Sequence, residues 1–209
     1  METKEQVAEI IIIFVAAIIL GITVSFPSLS AVISSIIYFI VIIAVNIAVK
    51  KFISYYLEAK VTTRFWSWYQ FGFTKQAHFK KPIPMLWLPP LLSFVSKGYF
   101  LWLAILEFDI KAKSERVSKR HGLYRFSEIT DWHMASIAGG GIAINLIFGI
   151  LGYLAGFEFF AKLSIWYAFW SIIPISGLDG SKILAGSRAL WFTLLVIIAI
   201  FLGYSFIVV

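Results

Sequence analysis

Long uncharged stretches dominate the pattern of hydrophobic and polar positions along this chain. No charged residue occurs between Ile10 and Val49, whereas a helix needs only about 20 apolar residues to cross a bilayer. Pro27 and the serines beside it divide this stretch, because proline interrupts a helix and serine caps the start of one. The pattern therefore predicts two transmembrane helices, at residues 10–26 and 30–52, joined by a tight turn.

Three further apolar stretches follow in the second half of the chain. Their uncharged runs predict transmembrane helices at residues 132–157, 163–186 and 189–209. The middle one carries Pro174, Gly177 and Asp179, and proline and glycine both loosen a helix. We therefore expect this helix to be interrupted near its end.

The region between the two groups of helices, residues 53–131, has a different pattern. Apolar and polar residues alternate between Val61 and Phe73, which indicates a strand. Residues 85–106 are apolar but contain Pro89-Pro90 and Lys97-Gly98, which favours a strand pair or a half-embedded hairpin over a sixth spanning helix. We expect a cytoplasmic or half-embedded β and loop region here, because such backbone is tolerated at membrane depth only where protein or water satisfies it.

Composition supports a membrane protein. Hydrophobic residues make up 60% of the chain and charged residues 14%, whereas soluble domains contain about half and a quarter. The fold class predicted is mainly α: a polytopic membrane protein with about five transmembrane helices and a small membrane-associated β element, residues 1–209 forming one integral membrane domain. Tryptophans such as Trp66 and Trp102 are expected at the membrane–water interfaces.

The net charge of +7 fits basic residues that flank membrane segments and meet anionic lipid headgroups. It therefore does not indicate a nucleic-acid partner. With five helices, one side of the membrane receives the N-terminus, residues 50–131 and every basic residue except Lys162. By the positive-inside rule we expect an integral cell-membrane protein with its N-terminus in the cytoplasm and its C-terminus outside.

Asp179 is the most notable polar residue within the apolar stretches. An aspartate at the bilayer centre costs about 2.5–3.5 kcal/mol unless it has a partner, so it is a functional-site hypothesis by default. The alternative is that Asp179 lies at the cytoplasmic end and pairs with Lys182, three residues on and on the same helix face.

Two short segments carry a resemblance to a known family. Residues 171–174 read Ser-Ile-Ile-Pro and are followed by Leu-Asp-Gly at residues 178–180, while residues 138–146 read Ala-Gly-Gly-Gly-Ile-Ala-Ile-Asn-Leu. The chain resembles the site-2 protease family of intramembrane zinc proteases, in which Asn-x-x-Pro precedes Leu-Asp-Gly and an Ala-Gly-Pro-x-x-Asn-Leu segment lies upstream. The resemblance covers most of residues 30–186 and implies a site-2-protease-like core.

The zinc-binding motif of that family is degenerate here. The resemblance places its His-Glu-x-x-His at the end of the second helix, where this chain has Val45, Asn46 and Val49. Valine has no lone pair to donate, and asparagine cannot act as a general base. The family's substrate-binding asparagine is also changed, to Ser171. The resemblance therefore implies a former metal-site position at Asp179, no catalytic residue, and neither a metal nor another cofactor.

These observations lead to one main hypothesis and two alternatives. The main one is a pseudoprotease that acts as a partner- or client-helix-binding subunit of a membrane complex, its partners being the lipid bilayer and an integral membrane protein. Its site is expected to be a metal-free contact from Asn46 to Asp179, with Lys182, Ser171 and Asn145 as further possible contacts. The alternatives are an active or residual zinc metalloprotease that uses Asp179 with His133, and a small transporter or channel.

Overall fold

The computed structural model describes residues 2–70, 78–113 and 129–207, and these residues form seven helices and four strands. The prediction of a mainly helical fold with a small β part is confirmed. In chain order the elements are α1 (Glu2–Ser25), α2 (Leu29–Tyr56), β1 (Ala59–Phe65), β2 (Ser67–Gln70), β3 (His78–Pro84), α3 (Leu88–Val95), β4 (Leu106–Ala112), α4 (Asp131–Leu154), α5 (Glu158–Ile172), α6 (Asp179–Gly186) and α7 (Arg188–Ile207).

Four of these helices, α1, α2, α4 and α7, are long and apolar enough to cross a membrane. The single helix predicted over residues 163–186 is wrong. Helix α5 ends at Ile172, and α6 begins only at Asp179. The break lies at the predicted place, because Pro174 has no N–H for a helical hydrogen bond and Gly177 has a left-handed φ of +85°. With 15 residues, α5 is about 22 Å long, short of the roughly 30 Å of a hydrocarbon core.

The strands form two small antiparallel pairs. β1 pairs with β4 from Ala59 opposite Ala112 to Phe65 opposite Leu106, and β2 pairs with β3. The strand predicted from Val61 to Phe73 therefore begins earlier, at Ala59, and is divided at Trp66. Its residues 71–73 lie outside the described part of the chain. The segment between β3 and β4 is not a strand pair as predicted. It holds the short helix α3, whose first turn contains Pro89 and Pro90, where proline costs little because those N–H groups have no helical partner.

This α3 segment lies beside the far end of α1. The Ser93 hydroxyl donates a hydrogen bond to the Thr23 carbonyl at 2.9 Å, near the C-terminal end of α1. At the opposite end of α1, the Glu9 carboxylate pairs with Lys51. Ser93 of α3 therefore lies near the end of α1 that is opposite to this ion pair, and the eight residues of α3 are too few to span a membrane. The chain returns to β4 through residues 102–105, which are outside any helix or strand and are buried.

Tryptophans join the two non-helical segments of the core. Trp66 stacks on Trp102 with ring centroids 5.7 Å apart, and Trp102 contacts Trp170 on α5 at 4.6 Å. The Trp66 Nε1 donates to the Ser176 carbonyl at 2.6 Å, inside the break between α5 and α6. Trp66 and Trp102 are thus buried, not interfacial as predicted. They fix the backbone that leads into Asp179.

Helix packing brings α6 into the centre of the protein. Helix α2 packs between α1 and α4, and α4 also contacts α5 and α6. The start of α6 passes close to the end of α5, so that a methyl group at Gly180 would overlap the Ile172 carbonyl oxygen. The glycine after Asp179 is therefore needed for close backbone contact, which explains the Leu-Asp-Gly sequence in steric terms.

We expect Gly180→Ala to destabilise the protein by about 1–3 kcal/mol or more, because the overlapping atom is backbone and cannot move aside cheaply. Gly203→Ala on α7 is the matched control, since a methyl group there meets nothing within 4 Å. It should be neutral or stabilise by up to about 1 kcal/mol. Unfolding free energies in detergent micelles measure both, and equal effects would contradict the packing described.

Candidate functional site

A buried ion pair lies at the centre of the candidate site. The Lys50 Nζ donates to the Asp179 Oδ2 at 2.6 Å. The residues are 7% and 4% exposed. Asp179 is the first residue of α6, and Lys50 lies near the end of α2. The pair therefore links α2 to α6 through two residues that are 129 positions apart in the chain.

The depth of the pair follows from helix geometry. Lys50 comes 21 residues after the start of α2 at Leu29, which corresponds to about 32 Å of helix rise. This length is close to the roughly 30 Å thickness of a hydrocarbon core. If α2 crosses the membrane, the ion pair lies at the boundary on the side of the β1–β4 pair.

A second cation and an aromatic ring complete the immediate surroundings. Phe108 of β4 lies 4.7 Å from the Lys50 Nζ and 4.2 Å from the Lys182 Nζ, measured to the ring centroid. Lys182 donates to the Gly177 carbonyl at 2.6 Å. The hypothesis that Lys182 is the hydrogen-bonded partner of Asp179 is therefore wrong, because Lys50 has that role. The face of Phe108 attracts both ammonium groups, which offsets part of their desolvation.

Asn46 lies one helical turn before Lys50 and contacts a different partner from the one predicted. Its Nδ2 donates to the Gly141 carbonyl on α4 at 2.7 Å, and the predicted hydrogen bond to Asp179 is not formed. A side chain at Gly141 would meet Lys50 Cε at 2.5 Å and Asn46 Nδ2 at 3.0 Å. Gly141 thus allows the polar face of α2 to close on α4, while the longer lysine reaches past Asn46 to the carboxylate.

The remaining predicted site residues lie around this contact without joining it. Val49 lies near Gly140 on the α2–α4 interface, and Val45 is partly buried. Ser171 is buried near the end of α5. Asn145 is fully buried on α4, where its backbone carbonyl accepts a hydrogen bond from the Ser164 hydroxyl at 2.7 Å.

Some buried polar atoms of the site have no hydrogen-bond partner within the described residues. These atoms are the Nδ2 and Oδ1 of the Asn145 side chain, the Asp179 Oδ1, and the indole nitrogens of Trp166 and Trp170. A buried polar atom without a partner costs about 1–3 kcal/mol. The carboxylate therefore keeps one free acceptor oxygen at the break between α5 and α6.

The chemistry of the side chains at Asp179 does not fit a zinc ion. Zinc is held by nitrogen, sulfur or oxygen lone pairs, whereas Asp179 is bonded to an ammonium group and Asn46 directs its NH₂ to Gly141. Within residues 2–70, 78–113 and 129–207, the structure contains no group of three His, Cys, Asp or Glu that could hold a metal ion. His133 takes part in the cap of α4 through Thr130, eight residues or about 12 Å of helix before Gly141.

Comparisons of the chain with protein-family models, curated proteins and solved structures give no match. The resemblance to the site-2 proteases thus rests on the two short segments alone. The geometry of the ion pair is independent of it.

Lys50 is the functional residue that the sequence analysis missed. Two signals were available: it is the first charged residue after the long uncharged stretch, and it follows Asn46 by four residues. Residues four apart share a helix face. The sequence does not show that this face of α2 points towards α4, because packing against Gly141 sets that direction.

Glu107 approaches the site from β4. It is partly buried, and its Oε2 has no hydrogen-bond partner within the described residues. Burial raises the pKa of the Glu107 carboxyl, while the positive charge of Lys182 opposes the shift. The folded state therefore binds this proton more tightly than the unfolded state does, and the stability contributed is lost as pH rises through the raised pKa.

We expect Glu107→Gln to raise the melting temperature at neutral pH, because glutamine resembles the protonated carboxyl. The gain should shrink as pH falls through the raised pKa of wild-type Glu107 towards the ordinary carboxyl value of 4.5, because the folded wild-type protein takes up its proton over that range. Thermal unfolding in detergent across this pH range measures the effect. A variant that is less stable than wild type at neutral pH would contradict it.

Removing one member of the ion pair should be costly. We expect Lys50→Met or Asp179→Asn to destabilise the protein by about 3–5 kcal/mol each, because each leaves a buried polar or charged group without its partner. The double variant should cost much less than the sum. Unfolding free energies measured by titration with a denaturing detergent give the coupling.

Lys182→Met is the matched control for this cycle, because Lys182 contacts the same aromatic ring but is hydrogen-bonded to Gly177. Its coupling to Asp179→Asn should be smaller than that of Lys50→Met. Additive costs for Lys50 and Asp179 would show that the pair contributes no coupling.

Proposed function

We propose that this chain is a non-catalytic integral membrane protein with a site-2-protease-like core, in which the Lys50 ammonium takes the place of a metal ion beside Asp179. The observation that carries the proposal is the buried 2.6 Å contact between these two side chains. In the resembled family the aspartate of Leu-Asp-Gly is a zinc ligand. Here an internal cation neutralises the same carboxylate.

The spacing of two buried polar residues on α2 supports this proposal. The resemblance placed the former zinc ligands at Val45 and Val49. The polar residues at the same spacing are Asn46 and Lys50, which lie on the buried face of α2. One residue corresponds to about 100° of rotation around a helix, so the second pair faces α4 and α6.

Peptide hydrolysis gains no support from these side chains. A metalloprotease needs a Lewis acid that activates water and a base that accepts its proton. Lys50 already donates to Asp179, and Asn46 donates to Gly141. The alternative that combines Asp179 with His133 would require His133, which takes part in the cap of α4 about 12 Å of helix before Gly141, to reach Asp179 on α6.

We propose that the protein binds a transmembrane helix of a partner or client. The support comes from the α3 segment, whose tip exposes large apolar side chains beside the end of α1. They are Phe94, Val95 and Tyr99, exposed by 85%, 71% and 95%. A long lipid-facing helix gives regular apolar positions, whereas this tip is the end of a short helix and the turn after it, which a neighbouring helix can cover.

The proposed orientation keeps the N-terminus and the β1–β4 pair in the cytoplasm and the C-terminus outside. It requires α5 and the break after it to return the chain to the cytoplasmic side, and the close approach of Gly186 at the end of α6 to Asp131 at the start of α4 supports this return. Clustered basic residues of β1 and β4 support it through the positive-inside rule. Besides Lys162, Lys97 is a second basic residue that does not lie on the cytoplasmic side. It follows α3 and lies near the far end of α1.

A photo-crosslinking amino acid at position 94 tests the binding role in native membranes. We expect one membrane protein to be crosslinked at high yield, and the same protein to copurify in fixed ratio. The control position is Phe14 on α1, which is 49% exposed within a regular apolar helix and should give lipid adducts. Lipid adducts at both positions, or cleavage of a transmembrane reporter that Asp179→Ala abolishes, would contradict the proposal.

A further inference from the structure

A cationic cavity lies at the end of the protein where α1 begins. Its volume is about 550 Å³, and it is an open cleft lined by the first turns of α1, the end of α2 and the β1–β4 pair. This is within the range of about 300–1,000 Å³ that small-molecule sites occupy. The cavity is separate from the Asp179 site.

The charge of the cavity is strongly unbalanced. Two acidic residues of α1, Glu5 and Glu9, face five basic ones, an excess of three positive charges. The basic residues are Lys51, Lys60, Arg64, Lys111 and Lys113.

Three of these cations have carboxylate partners. Lys51 pairs with Glu9 and Lys60 with Glu5, and Arg64 contacts Asp109 at 3.0 Å. Lys111 and Lys113 have no ion pair with any carboxylate in the described part of the chain. The Lys113 Nζ lies 5.0 Å from the centroid of the Tyr55 ring. The positive charges of Lys111 and Lys113 can therefore bind an anionic ligand.

The register of the sheet gives an independent reason to expect an anion. Lys60 and Lys111 are directly opposite each other on antiparallel strands, an arrangement that is destabilising for like charges. Glu5 forms its ion pair with Lys60 and attracts Lys111 only at longer range. An anion between the strands would remove the repulsion that this register creates.

The position of the cavity indicates where the anion comes from. Its wall on α1 runs from Glu5 through Glu9 to Ile12, which is where the chain changes from charged to apolar. After Glu9, helix α1 is apolar and exposed, for example at Ile10, Ile11 and Phe14. A phosphate group bound beside Lys111 would be level with the headgroups of a bilayer crossed by α1.

We propose that this cavity binds the phosphate of an anionic phospholipid headgroup, with Lys111 and Lys113 as its principal contacts. The lipid's acyl chains then extend along the apolar surface of α1. Free phosphate shares the same chemistry, but it gains nothing from that apolar surface.

The test uses the full chain in neutral detergent micelles, with a short-chain phosphatidylglycerol as the probe. We expect it to raise the melting temperature saturably, and the matching phosphatidylcholine not to. Lys111→Gln with Lys113→Gln should weaken the apparent affinity by about 10- to 30-fold, from two lysines near a membrane surface. Lys80→Gln with Lys81→Gln, which removes equal charge from the exposed strand β3, should leave the affinity unchanged.

Lys111→Gln alone provides a second readout that does not need the double variant to fold. Without an anion it should be as stable as wild type or more stable, because it removes the repulsion with Lys60. With phosphatidylglycerol it should be less stable than wild type, so the sign of its effect reverses. A reversal supports the anion site.

Three results would overturn the proposal. Phosphatidylglycerol binding that survives the double variant would remove Lys111 and Lys113 from the site. An equal loss in the Lys80 and Lys81 control would reduce the effect to general surface charge. A response to inorganic phosphate as strong as that to the lipid would overturn the assignment to a headgroup and assign the cavity to a soluble phosphate.

Discussion

The contact between Lys50 and Asp179 is the constraint on which the arrangement of the core depends. Neither charge is tolerable alone in apolar surroundings, and together they stabilise the fold only if their geometry is close. The distance of 2.6 Å requires α2 and α6 to approach each other beside α4. Gly141 gives the space for Lys50, and Gly180 gives the space for the start of α6. The two glycines and the ion pair therefore act as one unit.

The small β element holds this unit in place from one side. Trp66, between β1 and β2, donates its backbone N–H to the Ile105 carbonyl and its indole N–H to the Ser176 carbonyl. Phe108 of β4 covers both lysines. Buried non-helical backbone must find its hydrogen bonds within the protein. The tryptophan supplies some of them, which explains why the chain has buried aromatic residues where interfacial ones were expected.

The sequence predicts the long helices well, because uncharged runs of sufficient length have few other structures available in a membrane. It also predicts the break near Pro174. It does not predict which side of α2 faces the core, since that helix is apolar all round and has no amphipathic pattern. The resemblance pointed to Val45 and Val49, whereas the buried polar contacts are made one residue later, by Asn46 and Lys50. The prediction of a strand pair at residues 85–106 was wrong for a similar reason. Their apolar composition does not distinguish a short helix from strands.

A structure of the protein prepared in excess zinc, with anomalous diffraction recorded at the zinc absorption edge, tests the central claim most directly. The ion pair predicts the Lys50 ammonium within hydrogen-bond distance of the Asp179 carboxylate and no anomalous peak beside it. A tetrahedral ion bound to Asp179, with Lys50 turned away, would contradict the account.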